Sequence, residues 1–148
     1  MKVETSIDIA APPERVWAVL MDPHRLADWV TIHRALDDVS DVPLERGSTL
    51  RQKLNLRGVN FHVRWRVTDL EPCKRAVWEG KGPALSHAHT SYQLSPDGNG
   101  GTRFDYVNEF KAPGGPLGAT ASRIVAGDAP EREAKATLRK LKGLLESE

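Results

Sequence analysis

At the front of the chain Val3, Thr5, Ile7 and Ile9 alternate with Glu4, Ser6 and Asp8, the two-residue period of a strand with one buried face. Pro12-Pro13 closes that strand, because proline offers no ladder N–H, yet its fixed φ suits the first turn of a helix. Val16, Trp17, Val19 and Leu20 then form the apolar stripe of a helix, with Glu14 near its positive end. Asp22-Pro23 stops this helix and can cap a second short one, whose buried side is Leu26 and Trp29.

From residue 33 the pattern is that of strands. "HRALDDVSD" is a weak one; "STLRQKLNL" alternates Leu50, Gln52, Leu54 and Leu56 against Arg51, Lys53 and Asn55, and Arg57-Gly58 reads as a turn. In "VNFHVRWRVTDL" every odd position from Val59 to Val67 is apolar and every even one from Asn60 to Thr68 is polar, so the faces are well specified. "AVWEG" follows the turn at Pro72-Cys73-Lys74. "SHAHTSYQL" and "TRFDYVNEF" flank the Gly-rich loop "SPDGNGG". Seven strands joined by short turns predict a mostly antiparallel meander.

"KAPGGPLG" breaks the sheet and the remainder is helical. Pro130 predicts a kink or a restart, with Asp128 as N-cap and Glu131 at a capping-box-like spacing. Beyond it Ala134, Leu138, Leu141 and Leu145 share one face, which needs an apolar surface to lie on, and the sheet supplies one.

The chain has 148 residues, the size of one domain, and we expect a single unit over 1–148. A net charge of +1 with interspersed signs gives no basic stripe for nucleic acid. Cys73 is the only cysteine and the first twenty residues carry acids, so the expectation is a cytoplasmic, soluble protein. The longest apolar run, "WAVLM", is far shorter than a membrane span of roughly 20 residues.

Strand parity yields candidate inner-face residues: Phe61, Val63, Trp65 and Val67 on the fourth strand, and Phe104, Tyr106, Asn108 and Phe110 on the seventh. On the sixth strand Ala88, Thr90, Tyr92 and Leu94 form the more apolar face, which leaves His87 and His89 outward; the opposite parity would make those histidines acid/base candidates. His87 and His89 share the spacing of two metal ligands, with His62 and Glu79 of the same outward parity, but with no local third ligand an exposed polar face is the simpler reading and no metal is expected. Asn108, an amide on an aromatic face, needs a partner: a ligand, a water or a protein group. No Gly-x-Ser-x-Gly elbow or nucleotide fingerprint occurs. Asp37-Asp38 point to opposite faces, and Glu131 with Glu133 read as acids of a helix's first turn. No arginine or acid falls on an inner face by this parity.

A strand, two short helices, six more strands and a long last helix is the order of the helix-grip arrangement. The segments "IDIAAPPERVWAVLMDPHRLADW" (7 to 29), "LERGSTLRQ" (44 to 52), "VTDLEPCKRAVW" (67 to 78), "GGTRFDYVNEF" (100 to 110) and "LRKLKGLLES" (138 to 147) resemble the START-like, or SRPBCC, superfamily, in particular its polyketide cyclase/dehydrase and lipid transport members. The resemblance implies an α+β helix-grip (START-like) fold: a curved seven-stranded antiparallel sheet wrapped around a long C-terminal helix, with two short helices after the first strand. It also implies a cavity between sheet and helix for a hydrophobic small molecule, bound by a carrier; the alternative is a polyketide cyclase/dehydratase-type enzyme, with Tyr92, Tyr106, Asn108 and Thr90 as its inward polar groups. A third reading is a small regulatory module that presents the "APGGPLG" loop to a partner.

The candidate ligand-binding set is therefore Trp29, Phe61, Val63, Trp65, Trp78, Thr90, Tyr92, Phe104, Tyr106, Asn108 and Phe110. Trp29 can serve either as core or as cavity wall. No catalytic residue and no cofactor are assigned, and a monomer or homodimer without nucleic-acid partners is expected.

Overall fold

The computed structural model describes residues 1–148. Its elements are β1 (Lys2–Ile9), α1 (Pro13–Leu20), a 3₁₀ turn (Pro23–Arg25), α2 (Leu26–Trp29), β2 (His33–Asp37), β3 (Thr49–Leu56), β4 (Val59–Glu71), β5 (Arg75–Lys81), a 3₁₀ turn (Pro83–Leu85), β6 (His87–Pro96), β7 (Thr102–Lys111), α3 (Gly115–Ile124) and α4 (Ala129–Glu146). The seven strands form one antiparallel sheet in the order β1-β7-β6-β5-β4-β3-β2. Every neighbour is a hairpin partner in sequence except β1, which pairs with β7. The sheet curves around α4 in a helix-grip arrangement.

The front of the chain folds as its pattern requires. Pro13 opens α1 at its first position, Val16, Val19 and Leu20 are buried, and the Asp22 carboxylate accepts from the His24 N–H at 3.0 Å to start the 3₁₀ turn that leads into α2. Trp17 is only half-buried and packs against the margin of the core rather than anchoring it.

β4 keeps its alternation up to Val67 and then slips: Val67 faces Trp78, but Asp69 faces Val77. The bulge brings Leu70 onto the core side beside Ala76 and bends the strand. At the other end Val59 is exposed, although its register partner Leu56 is buried.

The chain restarts before Pro130, and α3 and α4 are separate helices joined at Val125–Asp128, where Gly127 has φ +76°. Asp128 occupies the N-cap position without capping: its carboxylate accepts from Arg132 Nη1 at 2.8 Å instead, so the capping box does not form. Leu138, Leu141 and Leu145 of α4 are fully buried against Ile9, Trp29, Leu50, Val67 and Phe104. Burial of each of these leucines contributes about 1.5–3 kcal/mol.

The C-terminal end of α4 is tied to the β1–α1 connection. Lys142 Nζ donates to the Asp8 carbonyl at 2.7 Å, the Ala10 N–H donates to Glu146 at 2.9 Å, and Arg15 donates to the Leu145 carbonyl at 2.9 Å. The Ala10 N–H, followed by the Lys142 ammonium, holds the Glu146 carboxyl below its usual range. One end of the helix is thus fixed. The other end stands off the sheet, and no helix is long and apolar enough to cross a membrane.

Candidate functional site

Large apolar side chains fill the space under the C-terminal half of α4, whereas Pro130, Glu133, Ala134 and Thr137 of its N-terminal half leave a gap. That gap is a cavity of about 170 Å³. Its walls come from β3 and β4 (Gln52, Leu54, Leu56, Phe61, Val63, Trp65), from β6 and β7 (Ala88, Thr90, Tyr92, Tyr106, Asn108, Phe110), and from α3 (Ala121, Ile124). The β5–β6 turn closes one rim through Gly82, Pro83 and Ser86.

Eight of the eleven candidate ligand-binding residues line this cavity: Phe61, Val63, Trp65, Thr90, Tyr92, Tyr106, Asn108 and Phe110. Trp29, Trp78 and Phe104 do not; they are buried in the core behind it. Tyr92 joins the two regions, since its ring lies 6.2 Å from that of Trp29, 6.3 Å from Trp78 and 5.5 Å from Phe104. The indole N–H groups of Trp29 and Trp78 are buried without an acceptor. Parity assigns Phe104 to a face but not to a depth, and it lies with Trp78 and with Trp29 of α2 in the core cluster that contains Leu138, Leu141 and Leu145 of α4.

Four polar groups of the cavity form two cross-strand pairs. Thr90 is opposite Asn108 and Tyr92 opposite Tyr106. Thr90 Oγ1 donates to Asn108 Oδ1 at 3.0 Å, which gives the amide a protein partner for its oxygen. Burial pushes the Tyr106 phenol up to about 12 and the Tyr92 phenol further in the same direction, with no hydrogen bond offsetting either. Both phenols thus stay neutral on the wall of a chiefly apolar space.

Gln52 interrupts the leucines of β3 on their inner face and is buried. Trp65 Nε1 donates to its Oε1 at 2.9 Å, and its Nε2 lies 2.9 Å from His33 Nδ1. The indole is a donor only, which fixes the amide orientation and makes His33 Nδ1 an acceptor. Burial, with help from Arg34, lowers the pKa of His33.

A second polar group was not legible from parity. Glu133 of α4 reaches the cavity, where Oε2 accepts from Thr31 Oγ1 at 2.6 Å; Thr137 Oγ1 accepts from the Thr31 N–H at 3.1 Å and lies 3.0 Å from Thr31 Oγ1. The expectation of a cavity without an inward acid, and of Glu133 as a first-turn helix acid, is corrected here. The signal in the sequence was slight: Glu133 and Thr137 are four apart, one step before Ala134 and Leu138, hence on the margin of the apolar face.

His87 and His89 are exposed on the outer face, as their parity suggests. His89 Nδ1 hydrogen-bonds Glu79, and His87 reaches the cavity rim. His62 is also exposed, and no group of three metal-ligating side chains gathers there. Cys73 lies in the β4–β5 turn, away from the cavity, and is half-buried.

The family described as polyketide cyclase/dehydrase and lipid transport matches residues 1–146. Toxin Rv0910 of Mycobacterium tuberculosis (strain H37Rv) is 24% identical over 131 residues, spanning 88% of this chain and 91% of that protein. Among solved structures, Zhui aromatase/cyclase from Streptomyces sp. R1128 gives a TM-score of 0.79 at 20% identity, over 99% of this chain and 93% of that one. TTHA0849 from Thermus thermophilus gives 0.79 at 17% identity, over 99% and 98%. Likeness at these identities establishes the fold and leaves the ligand to the cavity's own chemistry.

Proposed function

The chain belongs to the polyketide cyclase/dehydrase and lipid transport family, and we propose that its residues 1–148 act as one carrier or binding unit for a hydrophobic small molecule, lipid-like, polyketide-like or aromatic. The observation that carries this reading is the gap under the N-terminal half of α4, lined chiefly by apolar side chains and holding two phenols without protein partners. Such a lining shields a ligand and orients it through a few polar contacts. In the present state the space matches a compact ring system, since an apolar cavity of roughly 150 Å³ holds benzene. A longer ligand requires α3 and the β5–β6 turn to move outward.

Phe61, Val63, Trp65 and Phe110 supply apolar contact in this reading, and Thr90, Tyr92, Tyr106 and Asn108 supply orientation. Trp29, Trp78 and Phe104 act from behind by holding Tyr92 in place. A second reading, a cyclase or dehydratase on a polyketide-like substrate, draws support from Glu133, the one carboxylate in the lining, which could move a proton.

Native mass spectrometry of freshly purified protein, followed by organic extraction, tests the binding reading. A discrete extra mass is expected. Fluorescence of the neutral dye phenylnaphthylamine supplies the control: Trp65→Ala should weaken its binding more than Arg66→Ala, and Ala88→Trp, which fills the cavity, should abolish it with circular dichroism unchanged. Equal effects of the Trp65 and Arg66 variants together with undiminished binding by Ala88→Trp would overturn the proposal. Recovery of an added polyketide-like compound unchanged favours the carrier; a dehydrated or cyclised product favours the enzyme.

A further inference from the structure

The charged side chains that line the cavity are one-sided. Glu133 contributes a carboxylate, and no lysine or arginine lines the space, although the chain has 21 of them. The basic residues beside Glu133 on α4 are engaged elsewhere: Arg132 pairs with Asp128 and Lys135 with Glu131. At the rim, the Met1 amino group donates to the Phe110 carbonyl at 3.0 Å and His87 stands in solvent. The Met1 ammonium is thus the one cation at the rim, turned to the Phe110 carbonyl, and no cationic side chain is placed beside Glu133 to neutralise an anion there.

The hydrogen bonds around Glu133 have a direction. Thr31 Oγ1 has one proton, and at 2.6 Å it gives it to Glu133 Oε2. At the 3.0 Å contact between the two hydroxyls, Thr137 must then be the donor, while its oxygen accepts from the Thr31 N–H. The chain of donors ends on the carboxylate. Only Oε2 is used, which leaves Oε1 to accept one more hydrogen bond.

We infer that Glu133, held by Thr31 and Thr137, is a head-group subsite that accepts a hydroxyl or a protonated amine of the ligand and excludes carboxylates. The inference rests on the binding reading above and narrows it. A ligand anion beside Glu133 would sit in a space of low dielectric with no lysine or arginine to pair with it, an arrangement that costs far more than it would in water. A donor meets an acceptor already oriented by two threonines. The ligand class is therefore a neutral or cationic amphiphile with a hydrophobic ring or chain, as opposed to a fatty or aromatic acid.

Three compounds of one shape test this near neutral pH: naphthol, naphthoate and naphthylmethylammonium, each measured by displacement of phenylnaphthylamine and by calorimetry. The alcohol and the ammonium ion should bind at least about tenfold more tightly than the acid, the scale of one hydrogen bond to a charged group. Glu133→Gln, half-buried and nearly isosteric, should weaken the ammonium ion and strengthen the acid, each by about tenfold, while the alcohol changes little. Thr31→Val, which removes the donor to Glu133 Oε2, serves as a second variant and should reduce the same preference. Naphthoate binding as tightly as naphthol, or a ranking unmoved by Glu133→Gln, would overturn the subsite and leave the binding reading intact. Failure of the dye and all three compounds to bind would overturn both.

Discussion

Tyr92 and Tyr106 face each other across β6 and β7, with ring centroids 6.1 Å apart and planes tilted by 31°. They are the only two tyrosines of the chain, so any tyrosinate signal reports on the cavity alone. The Tyr106 pKa is raised to about 12 by burial and that of Tyr92 is raised further. An exposed phenol ionises near about 10. The folded protein should therefore show no tyrosinate absorbance at that pH. Between about 10 and 12 the folded state holds more protons than the unfolded one, so stability should fall as pH rises through this window. Absorbance and circular dichroism followed together decide the matter: tyrosinate appearing near the ordinary value with the fold intact would contradict the burial.

Gly80 lies opposite Trp65 in the β4–β5 register and gives that ring its place. A Cβ on Gly80 would come within 2.7 Å of Val63 Cγ1 and 2.8 Å of the Trp65 ring. Both neighbours are themselves held, Trp65 by its bond to Gln52 and Val63 by burial. Gly80→Ala should thus cost about 1–3 kcal/mol, the usual penalty of overpacking. It should also move one of the four indole N–H resonances, that of Trp65. A variant as stable as the parent with all four resonances in place would refute the crowding.

The strands, their faces and the restart before Pro130 were legible because local pattern determines them: alternation places Val63 and Val67 inside, and proline at the start of a helix is favoured. The slip after Val67 was not legible, since a bulge depends on how two strands match and no residue of β4 marks it alone. Depth was not legible either. Phe104 and Tyr106 have the same parity, yet Phe104 is sealed in the core and Tyr106 lines the cavity, because α4 stands off the sheet at only one end. The partner of Glu133 is Thr31, 102 residues away. Contacts of that separation leave no trace in a local pattern.

The change of character along α4 gives a paired prediction. Leu141 is fully buried in the core, and Leu141→Ala should cost about 2–5 kcal/mol in urea unfolding, as large-to-small changes in close-packed interiors do. Ala134, two turns earlier on the same side of the helix, borders the cavity. Ala134→Leu extends into space already present, so it should leave stability unchanged or raise it, while reducing dye binding. A destabilised Ala134→Leu, or a Leu141→Ala as stable as the parent, would show that core and cavity had been assigned to the wrong ends of the helix.

His33 connects the cavity wall to acid conditions. It accepts the Gln52 amide N–H on Nδ1, while the Gln52 oxygen is occupied by the Trp65 indole. Protonating Nδ1 would set donor against donor, and turning the Gln52 amide round would only transfer the conflict to Trp65. Burial, then the charge of Arg34, lowers the His33 pKa below the ordinary 6.5. With the folded-state value below the unfolded one, the unfolded chain binds the proton more readily. The contribution to stability is full above 6.5 and is lost as pH falls through the folded-state value. His33→Asn keeps an acceptor for Gln52 and removes the titration. Its urea midpoint should therefore fall less than that of the parent between about pH 7 and pH 5, a comparison in which the carboxylates common to both proteins cancel. The Trp65 indole resonance should shift over the same range in the parent and stay in place in the variant. Identical pH slopes in the two proteins would mean that His33 does not titrate against Gln52.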